Sequence, residues 1–397
     1  MRLGGAPDLG HLTYCTNIHA AETWPDVLAG LKQHLPVIKA GFAPARPMGV
    51  GLRLAAAAAE SLEDPAAFAE LSALLDEGGY YVFTINGFPY GAFHGRTVKD
   101  GAYRPDWSEP SRLAYSNRLA RLLAALLPEG MEGSLSTVPG TFKPWAEGRV
   151  PTIVDNLIQH AAQLVALERE TGKTVVLALE PEPSCLIETI EETVAFFETF
   201  LFGSEAEARL AELAGLSRIQ SAAALHKHLG VCYDVCHAAV EFEDAEGSLA
   251  ALRTAGIAIA KVQLSSALRI ARVEAGTADQ LRPFDEPVYL HQVVARRNGG
   301  LSRYLDLPDA LAQIGRDQGA EWRIHFHVPV FLAEMQDFGT TQAFLREILA
   351  LHRAQPISAH LEVETYTWDV LPESYRNLGV GAAIARELNW VKDQLAS

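Results

Sequence analysis

The chain has 397 residues, 49% of them hydrophobic, and a formal net charge of −16 at pH 7. That is ample apolar material for a large core, and the acidic balance argues against nucleic acid or an anionic membrane surface as a partner, since both need a basic face. The four cysteines, at positions 15, 185, 232 and 236, lack CxxC spacing and read as reduced thiols of a cytoplasmic protein. The first ten residues carry one arginine and no apolar core, so they do not read as a signal peptide. No stretch has the uninterrupted apolar length of a membrane span.

The elements alternate along the chain. Leu12 to His19 reads as a first strand ending in polar groups, followed by a helix from about Trp24 with Pro25 in its first turn. Met48 to Leu54 is a second strand, with Arg53 at its end, and Ala55 to Glu77 is a helix stopped by Gly78-Gly79. Tyr80 to Ile85 is a third strand, running into a loop that holds Asn86, Phe88, Tyr90, Phe93 and His94, a composition suited to a pocket wall. A helix over Ser111 to Leu127 precedes a fourth strand, Gly133 to Val138, closed by Pro139-Gly140. The amphipathic helix Thr152 to Thr171 leads to a fifth strand, Thr174 to Leu179, which ends Glu180-Pro181-Glu182-Pro183.

Helices over about Glu188 to Phe202 and Glu205 to Leu229 precede the sixth strand, an apolar run that ends at Asp234 with His237 three residues on. After a short helix, Gly247 to Thr254, comes the seventh strand, Ile257 to Leu264, with Gln263 near its end. Val288 to Arg297 and Leu301 to Leu305, joined at Asn298-Gly299-Gly300, read as an inserted hairpin. A helix over Asp309 to Gly319 leads to an extra strand, Trp322 to Val328, which carries His325 and His327. Thr340 to Ala354 is helical, Ala359 to Thr365 is the last barrel strand, and a helix from about Ser374 to Leu395 closes the chain. Strand–helix alternation with an excursion between the seventh and eighth strands predicts a (β/α)8 TIM barrel, read as one domain over residues 1–397. A doubly wound open sheet is the alternative, weakened by the lack of G-x-G-x-x-G after the first strand.

In such folds ligands bind at the carboxyl ends of the strands. Glu180, Asp234, Gln263 and Glu364 fall at the predicted ends of strands five to eight, and acids crowded at one barrel mouth repel one another unless a cation joins them. Three carboxylates and an amide make an oxygen-rich set suited to Mg²⁺ or Mn²⁺; entry of His237 or His327 shifts the preference to Zn²⁺. Plainer readings stand beside this one. Asp234 is placed to cap the next helix, Gln263 to bond backbone, and His325 and His327 to pack as buried structural histidines. Glu182 and Glu362 are the alternatives should the register shift by two residues.

The run Val231 to His237 resembles the sixth-strand motif of the xylose isomerase-like barrel superfamily, an aspartate with a histidine three residues on. Leu179-Glu180-Pro181 and Val363-Glu364-Thr365 resemble its metal-binding glutamate motifs on the fifth and eighth strands. In the epimerases of that group the seventh-strand ligand is a histidine, with a substrate-gripping arginine six residues later. Here the ligand position holds Gln263, and Arg269 keeps the spacing. His327 is similar to a metal-binding histidine of endonuclease IV between strands seven and eight. That enzyme also has a histidine where Val138 stands here, so its three-metal cluster is incomplete in this chain.

Leu12 to Trp24, His325-Phe326-His327-Val328-Pro329 and Glu362 to Trp368 resemble the EboE family, metabolite traffic proteins of Ebo clusters. The resemblance implies a small-molecule metabolite as ligand and partner proteins of the same pathway. Whether the chain is an enzyme stays open on sequence. The leading reading is a divalent-metal-dependent sugar (phosphate) isomerase or epimerase. Glu180, Glu364 and His237 would be catalytic, and Arg269, His325, His327, Asn86 and Trp368 substrate-binding. The alternatives are a non-catalytic metabolite-handling protein with a wide aromatic pocket, and a metal-dependent hydrolase using His325 and His327 as added ligands.

Overall fold

A computed structural model describes every residue of the chain except 96, 336, 337, 374, 375, 377, 378 and 397. Fourteen strands are formed by the described residues. They are β1 (His11–Tyr14), β2 (Met48–Arg53), β3 (Tyr80–Asn86), β4 (Gly133–Thr137), β5 (Val175–Leu179), β6 (Leu229–Asp234), β7 (Ala258–Leu264), β8 (Ala267–Ile270), β9 (Val293–Arg297), β10 (Gly300–Tyr304), β11 (Glu321–His327), β12 (Glu334–Met335), β13 (Phe338–Thr340) and β14 (His360–Val363).

The first sheet has eight parallel strands in the order β1-β14-β7-β6-β5-β4-β3-β2. A parallel bridge between Cys15 and Gly51 brings β1 beside β2 and closes the circle. The architecture is therefore the expected (β/α)8 barrel. Its strands are buried along most of their length, as a parallel sheet covered by helices must be. The longest helix, Val150–Thr171, starts with a proline in its first turn and ends at Gly172 in the left-handed region (φ 70°).

The barrel interior is unusually polar for a fold whose centre is normally packed with branched apolar side chains. In its lower part Ser134 Oγ bonds Thr84 Oγ1 (2.8 Å) and His360 Nδ1 (2.9 Å). Above them Lys261 of β7 and Glu362 of β14, both without solvent exposure, form an ion pair, and Lys261 Nζ reaches Ser136 Oγ at 3.3 Å. Burial opposes the charge on Lys261, but Glu362 and the other acids nearby more than offset it and raise its pKa. Room for the pair comes from β2: a Cβ on Gly51 would lie 1.7 Å from Glu362 Oε1.

The excursion between β7 and β14 is larger than a hairpin plus one strand. It forms a six-stranded sheet in the order β10-β9-β11-β8-β13-β12, antiparallel throughout. The expected hairpin is present, with Asn298 (φ 51°) and Gly299 (φ 82°) supplying the positive φ pair of a two-residue turn. Ala267–Ile270, to which the sequence reading assigned no element, is β8, paired with β11 and β13. Four residues are too few for periodicity to reveal a strand. Ser374, the expected start of the last helix, lies outside the described residues; the helix itself spans Val380–Ala396. No helix among the described residues is long and apolar enough to cross a membrane.

Candidate metal centre

Asp234 ends β6 and also caps the helix Val235–Val240, and its two oxygens do different work. Oδ1 accepts from His237 N (3.0 Å) and Ser265 Oγ (2.8 Å). Oδ2 is buried with no hydrogen-bond partner. The capping reading of the sequence holds, and the cap fixes the carboxylate while leaving one oxygen free.

Glu180 follows β5 directly, its backbone N bonded to Thr137 O (3.1 Å), and its Oε2 is also buried without a partner. Glu364 follows β14. Its Oε1 accepts from Asn17 Nδ2 (2.6 Å) and Asn86 Nδ2 (3.1 Å). Ligand oxygens of Glu180, Asp234 and Glu364 lie within 4.8 Å of one another. Gln263 sits in register with Asp234 on one side and Glu362 on the other, and neither atom of its buried amide has a partner.

Such a cluster carries a large unfavourable self-energy. Burial, then Glu364 and Asp234, push the Glu180 carboxyl well above the ordinary range. Burial, then Asp234, push Glu364 up to about 8. Orphaned buried oxygens and carboxyls this reluctant to ionise are what a divalent cation resolves, so the residues present fit a bound metal. Glu362, the register alternative to Glu364, is committed to Lys261 below the mouth.

Glu182, expected only as an alternative to Glu180, also faces the mouth. It accepts from Tyr103 OH (2.8 Å), and burial raises its pKa to about 7. The Glu-Pro-Glu spacing was the available signal, since residues two apart in extended chain share a side.

Beside the carboxylates stand three histidines. His237 Nε2 is 3.1 Å from His325 Nε2, which is 3.3 Å from His327 Nε2. As alternation along β11 implied, His325 and His327 share a side. Burial holds both below the ordinary imidazole range, His327 at about 4. Three further groups of ligand atoms within 4.8 Å arise here: Glu182 with His237 and His325, Asp234 with His237 and His327, and Cys236 with His325 and His327.

Over this floor lies a cavity of about 60 Å³ lined by Glu180, Glu182, His237, His325, Glu364, Asn17 and Asn86 and walled by Phe88, Phe93, Tyr103, Tyr289 and Tyr366. The rings of Phe93, Tyr289 and Tyr366 pack with centroids 5.0–5.2 Å apart. Lys99 stands at the wall, tied to Asp306 (2.6 Å). Asn17, Tyr103 and Tyr289 were not named as site residues from sequence: they come from short connecting segments distant in the chain, Asn17 and Tyr103 on single 3-10 turns.

Two expected substrate contacts are displaced. Arg269 lies on β8, bonded to Glu321 Oε1 (2.7 Å) on the antiparallel sheet, and does not line the cavity. Its spacing from Gln263 matches the epimerase pattern, but β7 and β8 belong to different sheets here, which turns the arginine away. Trp368 is buried in the main hydrophobic core rather than in the cavity wall.

The fold and the site define a (β/α)8 barrel with a buried acid and histidine cluster at its carboxyl-end mouth. No protein-family model matches the chain, and no curated protein matches it. Similar solved structures include the IolI protein with a bound zinc atom, with a TM-score of 0.47 and 13% identity over 97% of this chain and 98% of that one. Another is the probable 3-DHS dehydratase AsbF of petrobactin synthesis from Bacillus anthracis, with a TM-score of 0.44 and 11% identity over 96% and 97%. A third is a xylose isomerase domain protein from Alicyclobacillus acidocaldarius, with a TM-score of 0.42 and 14% identity over 97% and 98%.

Proposed function

We propose that the chain is a metal-dependent isomerase or epimerase of a small hydroxy-carbonyl compound, of sugar-like chemistry and EboE-like affiliation. The observation that carries this reading is the convergence of Glu180, Asp234 and Glu364, with Glu180 Oε2 and Asp234 Oδ2 unpartnered, beside a small cavity. The narrowness of that cavity favours turnover of a small substrate over handling of a large flat metabolite, although its wall is aromatic.

Glu180, Asp234, Glu364 and the Gln263 oxygen would hold a divalent cation, Mn²⁺, Mg²⁺ or Zn²⁺. When bound, it supplies Lewis acidity that polarises a carbonyl and the hydroxyl next to it. Glu180 and Glu364 come from different strands of the closed barrel, and both line the cavity. Either one is therefore suited to take the proton from the carbon beside the carbonyl while the other returns it. Asn17 and Asn86 hold Glu364 by one oxygen and fix its orientation. Glu182, poised near neutral pH, is placed to exchange protons with a substrate oxygen. The aromatic wall excludes water while the enediol exists.

The test is deuterium exchange. The Mn²⁺-loaded protein is incubated in D₂O with a panel of free and phosphorylated ketoses, and the α-carbon is read by NMR. Exchange with at least one member is expected, abolished in Glu180→Gln and Glu364→Gln. Exchange that survives both substitutions rejects the proton-transfer role.

A further inference from the structure

We infer that the base of the barrel, at the end opposite the carboxylates, holds a second ligand site built on His11 and His360 and shaped for a neutral heterocyclic amide. The inference goes beyond the isomerase reading and does not rest on it.

The first argument is open space. A cavity of about 620 Å³ lies among the starts of the barrel strands, lined by His11 of β1, His360 of β14, Gly133 of β4, Val176 of β5 and Ile259 of β7, with Met131 from the connection before β4. Small-molecule sites typically occupy about 300–1,000 Å³. The cavity at the mouth, about 60 Å³, is far smaller.

The second argument is the pair of imidazoles. His11 and His360 are partners in the β1–β14 register, so their side chains leave the sheet on the same side. Both rings pack against Phe83, with centroids 5.4 and 4.8 Å away. His360 is 5% exposed, and its Nδ1 meets Ser134 Oγ at 2.9 Å. The Ser134 hydroxyl donates to Thr84 Oγ1 (2.8 Å), and the Thr84 hydroxyl donates to Ser134 O (3.2 Å). Ser134 Oγ can then only accept from the imidazole, so His360 Nδ1 carries the ring proton. Burial lowers the His360 pKa to about 3, which keeps the ring neutral at pH 7. Its Nε2 is left as a bare acceptor, with no protein partner among the described residues, in a side chain that lines the cavity.

His11 supplies the complement. Its Nδ1 meets Tyr81 OH at 2.8 Å. Burial raises the phenol pKa, so Tyr81 keeps its proton, and as the more acidic partner it donates. Burial lowers His11 to about 4, and the neutral ring then carries its own proton on Nε2. The base of the barrel thus sets an acceptor and a donor on neighbouring strands.

The third argument is what fits them. A ring amide presents an N–H beside a C=O and satisfies both imidazoles at once. Met131, Val176 and Ile259 offer its flat body an apolar bed, which a polyol would not use. At the rim Arg2 and Lys227 stand against Glu129 and Glu132, a balance that favours a neutral ligand over an anion. Pyrimidinones and purinones have this chemistry.

The test is binding to the full chain, read by saturation-transfer NMR and calorimetric titration. Uracil and hypoxanthine are the probes and their N-methylated forms the controls. Chelator is present throughout, so that no metal at the mouth takes part. At least one probe is expected to bind, and its N-methylated form to bind about tenfold or more weakly, the loss expected when a buried acceptor goes unpaired. His360→Phe, which removes the acceptor, and Ala258→Trp, which fills the cavity from its exposed edge, should weaken the probe to the same degree. Metal content, measured separately without chelator, should match wild type in both. Circular dichroism checks folding, and if His360→Phe does not fold, Ala258→Trp decides. Absence of binding by either probe at millimolar concentration, equal binding of the methylated controls, or undiminished binding in a folded variant overturns the inference. None of these results bears on the carboxylates at the mouth.

Discussion

Replacing Lys261 by Met asks whether Glu362 belongs to the barrel scaffold or to the metal. Lys261 and Glu362 both lie at 0% exposure and are paired to each other inside the barrel. Removing one partner strands a charge in the interior, and a broken buried pair typically costs about 3–5 kcal/mol. Replacing both by apolar residues of similar volume is often neutral or stabilising. The ordering expected in urea denaturation is therefore specific. Lys261→Met falls about 3–5 kcal/mol below wild type, and Lys261→Met/Glu362→Leu recovers most of that loss. Metal content should be unchanged in the double variant, because Glu362 is paired with Lys261 through Oε2 and belongs to none of the groups of ligand atoms at the mouth. A single variant within about 1 kcal/mol of wild type, or a double variant stripped of metal, would refute the placement of Glu362 as scaffold.

Other consequences are open to direct measurement. With Glu182 raised to about 7 and Glu364 to about 8 in the folded, metal-free protein, these two carboxyls hold protons in the folded chain that they lose in the unfolded one between about pH 4.5 and 8. The resulting stability is complete below the unfolded carboxyl pKa and is lost as pH rises through the folded values. Measured against a Glu182→Gln/Glu364→Gln variant in chelator, the wild-type urea midpoint should lose ground from pH 5 to 8; a gain relative to the variant contradicts the buried-acid picture. Metal loading at pH 7 should release protons, seen by calorimetry in buffers of different ionisation enthalpy, because ligands bind deprotonated; zero release would contradict it. Arg303 from the hairpin bonds Glu241 Oε2 twice, at 2.8 and 2.6 Å. Arg303→Ala should cost roughly 1–3 kcal/mol in urea by stranding that buried acid, and an unchanged midpoint counts against the clamp. Arg269→Ala should leave metal content and deuterium exchange intact and shift stability by about 1 kcal/mol or less, since its pair with Glu321 is partly exposed.

The barrel was legible because its strands are buried runs alternating with amphipathic helices, a pattern one sequence carries by itself. The acids at the strand ends were legible for the same reason. A charge closing an apolar run is costly without a partner, and Asp234, Glu180 and Glu364 each stand at such a place. The six-stranded sheet was only half visible, because β8, β12 and β13 are two to four residues long and owe their state to partners far along the chain. Arg269 misled for that reason: a spacing rule presumes the local geometry, and a new strand starting three residues after Leu264 replaced it. Asn17, Tyr103 and Tyr289 were invisible as site residues, since their roles come only from what the fold sets beside them.

The central claim is that the mouth of the barrel is a metal centre. The most direct test is elemental analysis of protein purified without chelator or nickel affinity, beside Asp234→Ala, with folding of both checked by circular dichroism. The account predicts bound divalent metal in wild type and its loss in the variant, because Asp234 serves both ligand groups. A folded wild type that stays empty after exposure to Mn²⁺ and Zn²⁺ would contradict it.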